Sequence, residues 1–338
     1  MDDTATTLEL PNARAAQETV ERALFEIRRV IAGQDRMLER VLVCLLSGGH
    51  LLIEGVPGLA KTLTIKTAAS ALGGTFQRIQ FTPDLVPSDL VGTRVFRPDT
   101  GTFDTEQGPV FCNFLLADEI NRAPAKVQSA LLEVMQEHQV TIGRETMAVP
   151  EPFLVMATQN PIESEGTYPL PEAQVDRFML KVVVGYPEPE DELTVVERAL
   201  DPAVEVRSVV TLEELTALRA QVGRVYVDPA VSRYAVALTG ATRSPEAAGI
   251  AEVGRYVEFG ASPRGSISLV VAGRALALLR GRDYVLPQDV VDLTHDVLRH
   301  RLVLSYEAIA TGVAEDALID AALAAVPVPQ LDVVGRAA

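Results

Sequence analysis

The chain has 338 residues, 48% of them hydrophobic and 22% charged, a balance that fits about two globular domains and excludes a disordered chain. Its formal charge of −16 argues against general affinity for nucleic acid or anionic membranes. No apolar run approaches the roughly 18–20 residues that span a bilayer, and the start, MDDTATTLEL, lacks the basic and apolar regions of a secretory signal, so a cytoplasmic location without membrane insertion is expected.

Residues 1–14 are polar and read as a loose tail. Val20, Leu24, Ile27 and Ile31 recur at helical spacing over residues 15–31. A strand follows in HLLIEG (50–55), then a helix from Lys61 to Leu72 and a strand in FQRIQF (76–81). In VFRPDTGTFDTEQGPVF (95–111), Asp99-Thr100-Gly101 between Val95-Phe96 and Phe103 reads as a hairpin turn. NFLLA (113–117) is the next strand, and Val127, Leu131 and Val134 mark one face of a helix from Pro124 to His138. A second hairpin is expected around Gln139-Val140-Thr141 and Ala148-Val149, followed by strands in PFLVMA (152–157) and KVVVGY (181–186).

Strands alternating with helices predict an α/β fold with a three-layer, mostly parallel sheet. After YPEPEDE (186–192) strand-like runs become rare and helical patterns dominate. Thr211 and Glu214 form a capping box, and Ser262-Pro263 reads as an N-cap with proline in the first turn. The expected organisation is an α/β domain over 15–186 and a smaller, mainly helical domain over 187–338. Cys44 and Cys112 are isolated thiols, expected to be buried and reduced, and the four histidines form no close pair with metal-ligand spacing.

GVPGLAKT (55–62) stands between a strand and a helix, the context of a phosphate-binding loop of the form G-x-x-x-x-G-K-[ST]. The loop comprises Gly55, Val56, Pro57, Gly58, Leu59, Ala60, Lys61 and Thr62, with Leu63 next in the helix. Backbone N–H groups in such a loop point at phosphates, aided by the positive end of the helix. Lys61 would reach the β- and γ-phosphates of ATP, and the Thr62 hydroxyl would ligate Mg²⁺. Ala60 replaces the usual second glycine. Because it abuts the first helical turn, its φ is expected to be negative, with its N–H still facing the phosphates.

FLLADEIN (114–121) ends an apolar strand in two acids, which at the carboxyl end of an open α/β sheet face the ligand crevice. Asp118 would hold the Mg²⁺, and Glu119 would orient and deprotonate the attacking water. Asn160, just past the strand in VMATQNP, could bond the γ-phosphate or that water; alone it would read as a turn residue.

Together, GVPGLAKT, LLADEINRAPAKVQSALLEVMQE, ATQNPIESEGTYPLPEAQVDRF and GASPRGSISL resemble the MoxR family of AAA+ ATPases, over about residues 20–310. The resemblance implies a phosphate-loop core followed by a helical lid, with Ala60 as the family's form of the loop. It also implies Mg²⁺-dependent ATP hydrolysis by a hexameric ring of identical chains. It makes Arg177 the arginine finger and Arg264 the sensor 2 arginine. Within VIAGQ (30–34) it places Ile31 against adenine with Gln34 close by. The first hairpin becomes the helix-2 insertion near the ring axis. Chaperone-like remodelling or maturation of protein complexes, a partner with a von Willebrand factor A domain and, in some members, metal insertion are implied as well.

Topology bears on two of these arginines. Arg177 precedes KVVVGY, so it lies away from the crevice where strands end; it would reach a neighbour's γ-phosphate rather than its own, the alternative being a surface salt bridge with Asp176 or Glu172. Arg264 falls in the first turn of a helix, where a cation is unfavourable unless an anion joins it. A phosphate from the same chain is expected there, coupling nucleotide state to the angle between domains. Arg122 fits either a subunit boundary or an ordinary surface. Rival readings are a metal-chelatase-type or DNA-translocating motor, or a nucleotide-gated scaffold with little turnover. The client cannot be read from the residues.

Overall fold

The computed structural model describes residues 12–56, 58–161, 166–200, 202 and 204–331. Most of the tail expected over 1–14 therefore lies outside the described residues, as does Pro57. Ala13 already opens the first helix, where the Asn12 side chain caps it by accepting from the Ala15 N–H at 2.8 Å.

The strands are β1 (Leu51–Glu54), β2 (Phe76–Gln80), β3 (Gly92–Arg97), β4 (Thr102–Gln107), β5 (Phe114–Asp118), β6 (Gln139–Ile142), β7 (Glu145–Ala148), β8 (Leu154–Gln159), β9 (Leu180–Val183), β10 (Val257–Phe259) and β11 (Val303–Leu304). Helices α1 (Ala13–Arg28), α2 (Asp35–Ser47), α3 (Lys61–Ala71), α4 (Pro87–Val91), α5 (Ala125–Glu137) and α6 (Glu172–Val175) accompany the central sheet. The chain continues through α7 (Pro189–Leu200), α8 (Leu212–Val222), α9 (Pro229–Arg243), α10 (Ala251–Gly254), α11 (Pro263–Leu279), α12 (Pro287–Leu298), α13 (Tyr306–Thr311) and α14 (Glu315–Ala325).

The central sheet has five parallel strands in the order β2-β5-β8-β1-β9. Because side chains alternate along a strand, each strand must be apolar on both faces to be covered twice. Leu51 and Ile53 of β1 join the core beneath α2 and α3, while Leu52 between them joins the core around α5. Leu116 and Leu115 of β5 divide in the same way. This produces the three-layer α/β architecture. The two expected hairpins are present as β3–β4 and β6–β7, and they lie side by side, with the Thr105 hydroxyl donating to Glu145 at 3.1 Å. Phe96 and Phe103 pair across the first, their rings 5.1 Å apart.

The helical part does not hang free of the sheet. Leu269, Ala272 and Leu276 of α11 share one continuous core with Val41 and Leu45 of α2. Above that core, Asp296 of α12 is fully buried and accepts from Arg40 at 2.8 Å, Arg36 at 3.1 Å and Arg299 at 3.0 Å. A buried carboxylate requires such partners, and two of the three come from α2. Arg299 also donates to the Lys181 carbonyl in β9 at 3.1 Å. Apolar packing and a buried ion cluster thus fix the helical part against one flank of the sheet. No helix among the described residues is long and apolar enough to cross a membrane. Cys44 and Cys112 are buried and free, and burial pushes both thiols up, Cys112 to about 12, so neither is a reactive thiolate at neutral pH.

Candidate nucleotide site

The loop after β1 turns into α3 through an alternation of backbone signs. Gly58 has φ +87° and Ala60 φ +53°, with Leu59 between them on the ordinary side. This corrects the expectation of a negative φ at Ala60. The residue is the N-cap of α3, outside the helix, where the chain has yet to take helical dihedrals. Alternating signs turn successive N–H groups toward one concave side, the geometry of an anion-binding nest. An alanine held left-handed costs on the order of 1 kcal/mol, and the nest geometry requires it.

The first intrahelical bond of α3 runs from the Thr64 N–H to the Ala60 carbonyl at 2.9 Å, leaving the preceding amides at the helix mouth without intrahelical acceptors. The same cleft is lined by Gly58 through Leu63, by Arg78, Gln80, Asp118 and Glu119, and by Thr158, Gln159 and Asn160. The Lys61 ammonium donates to the Gly55 carbonyl at 2.5 Å. Burial lowers its pKa, while Asp118, Glu119 and Glu54 pull the other way. Asn160 is buried at the end of β8, beside the acids. Ile31 instead packs with Leu38, Ala68 and Ala71 behind α3, and neither it nor Gln34 lines this cleft.

Sequence reasoning missed the groups that hold the acids. The Thr158 hydroxyl donates to Asp118 Oδ1 at 2.6 Å and accepts the Glu119 N–H at 2.9 Å. Arg78 donates to Asp118 Oδ2 at 2.6 and 3.1 Å. Gln80 donates to Glu119 Oε2 at 2.8 Å, and Arg122 pairs with the same oxygen at 2.9 Å. Glu119 itself is left-handed, φ +56°. A non-glycine residue in that region is strained and is characteristic of functional positions. The signal available in sequence was FQRIQF, in which Arg78 and Gln80 stand two apart, and so on one face of a strand, with the strand's last residue opposite Asp118 across β2 and β5.

A second cleft, of about 220 Å³, lies at the opposite end of β1, where His50, Gly48 and Gly49 precede the strand. Arg177 and Arg264 both line it, with Asp176 and Arg301. From His50 to Gly55 is roughly 16 Å of extended chain. Arg264 therefore sits beside Arg177 and away from the phosphate loop of its own chain, and the expected closure onto a phosphate of the same chain does not fit this placement. The expected cap is present: Ser262 Oγ accepts the Arg264 N–H at 3.1 Å and donates to Asp176 Oδ2 at 2.9 Å. Asp176 pairs with Arg301 rather than Arg177, and neither Arg177 nor Arg264 makes an ion pair among the described residues.

Residues 50–180 match the ATPase family associated with various cellular activities (AAA), and residues 251–322 match the AAA lid domain. The chain is 55% identical over 320 residues to Chaperone MoxR1 of Mycobacterium tuberculosis, covering 95% of this chain and 85% of that one. It is 36% identical to Protein MoxR of Paracoccus denitrificans, covering 89% and 93%. This chain belongs to the MoxR family of AAA+ ATPases. The crystal structure of a candidate ATPase from Cytophaga hutchinsonii superposes with a TM-score of 0.89 at 45% identity, covering 94% of this chain and 97% of that one.

As a MoxR-family member the chain is a nucleotide-binding protein with an AAA core and a lid, and the cleft has the donors for the ligand such a core takes. Its amides, Lys61 and the mouth of α3 suit a polyphosphate. The Thr62 hydroxyl and the Asp118 carboxylate are hard oxygen donors on one cleft, a set that fits magnesium. In this MoxR-type fold the acids lie at the carboxyl end of β5, while the two arginines line the cleft at the other end of β1.

Proposed function

We propose that this chain hydrolyses ATP with Mg²⁺ in a ring of identical protomers, each site completed by Arg177 and Arg264 of a neighbour. The observation that carries the reading is the separation of groups. Lys61, Asp118, Glu119 and Asn160 line one cleft and both arginines line another, at the other end of β1. One protomer alone holds a base and a phosphate cradle, but the arginines there, Arg78 and Arg122, are paired with Asp118 and Glu119 rather than placed to offset the charge that grows on the transferring phosphoryl group. Arginines that do offset it contribute roughly 10³–10⁵ in rate in related systems.

Within a protomer, the loop amides and Lys61 bind and orient the phosphates. Thr62 and Asp118 hold the magnesium, which offsets phosphate charge when bound. Glu119 takes the proton of the attacking water, and Asn160 positions that water or the γ-phosphate. A ring of six, a cytoplasmic location and a partner carrying a von Willebrand factor A domain belong to the same proposal, and the resemblance to the family supports them. The name of the Mycobacterium tuberculosis relative, Chaperone MoxR1, supports a chaperone-like role; remodelling or maturation of protein complexes, with metal insertion in some cases, is the form of that role we propose.

Mixing protomers tests the composite site. Arg177→Ala and Glu119→Gln proteins should each be nearly inactive, yet a mixture should regain hydrolysis, because an intact Glu119 then meets an intact Arg177 across an interface. A mixture as inactive as its components, although it co-assembles, would overturn the reading.

A further inference from the structure

The strongest unassigned group in the phosphate cleft is Arg78. It lies on β2, the edge strand, whose parallel register with β5 sets Gln80 opposite Asp118. Its guanidinium forms a fork on one carboxylate oxygen, Nη2 at 2.6 Å and Nε at 3.1 Å from Asp118 Oδ2. The other oxygen, Oδ1, is taken by the Thr158 hydroxyl at 2.6 Å. Nη2 also donates to the Gln80 side-chain oxygen at 2.9 Å, and the Gln80 amide donates to Glu119 Oε2 at 2.8 Å. One chain of hydrogen bonds therefore runs Asp118–Arg78–Gln80–Glu119 and spans both acids.

Two cations claim the same lone pairs. A divalent ion held by Thr62 draws on Asp118 for an oxygen, directly or through its water shell, and Arg78 occupies the oxygen that Thr158 does not. The side chain of Arg78 is 48% exposed and that of Asp118 16% exposed. An ion pair so open to water is weak and can be exchanged. Arginine also has solvent to move into on the outer side of an edge strand.

We propose that Arg78 is a latch that competes with the divalent cation for Asp118, so that cation binding releases Arg78 and, through Gln80, loosens one of the two contacts on Glu119 Oε2, the other being Arg122. The proposal rests on the reading of this cleft as the Mg²⁺–ATP site and adds an order of events: the Gln80 contact on the base is loosened only after the cation is seated. Lys61 and the loop amides take no part in the chain and hold the phosphates in either state.

Binding of a non-hydrolysable ATP analogue, followed by calorimetry as Mg²⁺ is raised from an EDTA baseline, tests this without turnover. Arg78→Ala should lower the Mg²⁺ concentration of half-maximal tightening by about threefold to tenfold. In EDTA its affinity should be unchanged or weaker, an opposite sign that general damage to the fold does not produce. Arg78→Lys keeps the charge but loses the planar fork, and should lower the midpoint by about twofold or more. An unchanged or raised midpoint in Arg78→Ala overturns the latch. So does an Arg78→Lys protein indistinguishable from the parent, which would reduce the effect to charge alone. If instead the parent binds equally with and without Mg²⁺, or Lys61→Ala binds as well as the parent, the cleft assignment itself falls and the latch with it.

Discussion

Arg301, from the lid, holds the carboxylate of Asp176, the residue just before Arg177, through a 2.7 Å ion pair. The same guanidinium donates to the Asp176 carbonyl at 3.3 Å and to the Phe178 carbonyl at 2.7 Å. The carbonyls of the residues on either side of Arg177 are thus held by one side chain that is itself buried. Burial lowers the Arg301 pKa to about 10, with Asp176 opposing, so the group stays charged at neutral pH. A lid residue thereby holds the backbone that carries Arg177, the arginine proposed above as the finger.

Arg301→Lys keeps the charge and loses the fork that spans both carbonyls. Nucleotide affinity should stay within about twofold, because the phosphate cleft lies at the other end of β1. Ring hydrolysis should fall about tenfold or more, the scale of a misplaced positioning group. Mixed with Glu119→Gln, the variant should regain hydrolysis as Arg177→Ala does, because its intact Glu119 then meets a correctly held Arg177, whereas mixing it with Arg177→Ala should restore nothing. Steady-state rates and binding isotherms on the same preparations check this; parent-like turnover would contradict it.

Glu119 is strained at φ +56° and clamped by Gln80 and Arg122. Glu119→Gln preserves shape and hydrogen bonding but cannot accept the water's proton. Hydrolysis should drop roughly 10²–10⁴-fold with ATP affinity nearly unchanged. Lys61→Ala should do the reverse, weakening binding before chemistry is reached. Comparing Kd with kcat for both variants separates the two roles.

Much of this was legible in the sequence because it is local. The continuous apolar run in HLLIE, the helical spacing in AKVQSALLEVMQE and the turn chemistry of Asp99-Thr100-Gly101 each fix an element from neighbouring residues alone. The acids Asp118 and Glu119 were legible for the same reason, as a polar end to an apolar strand. What escaped depends on distant partners. Arg78 meets Asp118 only because β2 and β5 pair in one register, 40 residues apart. Arg264 reaches the Arg177 end of the sheet only because α11 and α12 dock on α2, where Arg40 meets Asp296 across 256 residues. Ala60 was misread because a helical residue and an N-cap look alike in sequence, while their dihedrals differ in sign.

That dihedral makes Ala60→Gly informative. Glycine takes φ +53° without the Cβ clash, but it adds freedom to the unfolded chain. The two effects oppose, and relief of a left-handed alanine should leave the variant as stable as the parent or more stable, by up to about 1 kcal/mol. ATP affinity should be kept, since no amide donor is lost. Chemical denaturation with and without nucleotide measures both. A loss of more than about 1 kcal/mol would mean that the alanine methyl contributes packing that its exposed position does not suggest.

His50 gives the fold a defined response to acid. It is buried at the start of β1, its Nδ1 accepting the Val155 N–H at 3.1 Å and its Nε2 therefore donating to the Met135 carbonyl at 3.0 Å. Burial holds its pKa down at about 4, and His138 and Arg219 push the same way, against the Met135 bond and Glu151. In the unfolded chain a histidine titrates near 6.5. As pH falls through about 6.5 the unfolded chain takes up the proton first, while the folded chain resists until about 4. Stability from this group is complete above about 6.5 and is lost between there and 4, by up to roughly 3 kcal/mol at 1.36 kcal/mol per unit. His300, also pushed well down by burial, adds a loss of the same sign. Stability measured by denaturant titration from pH 7.5 to 4.5 should therefore decline steadily. His50→Gln, which can accept from Val155 and donate to Met135 without titrating, should flatten that decline, and a variant with the parent's full slope would show that the acid response arises elsewhere.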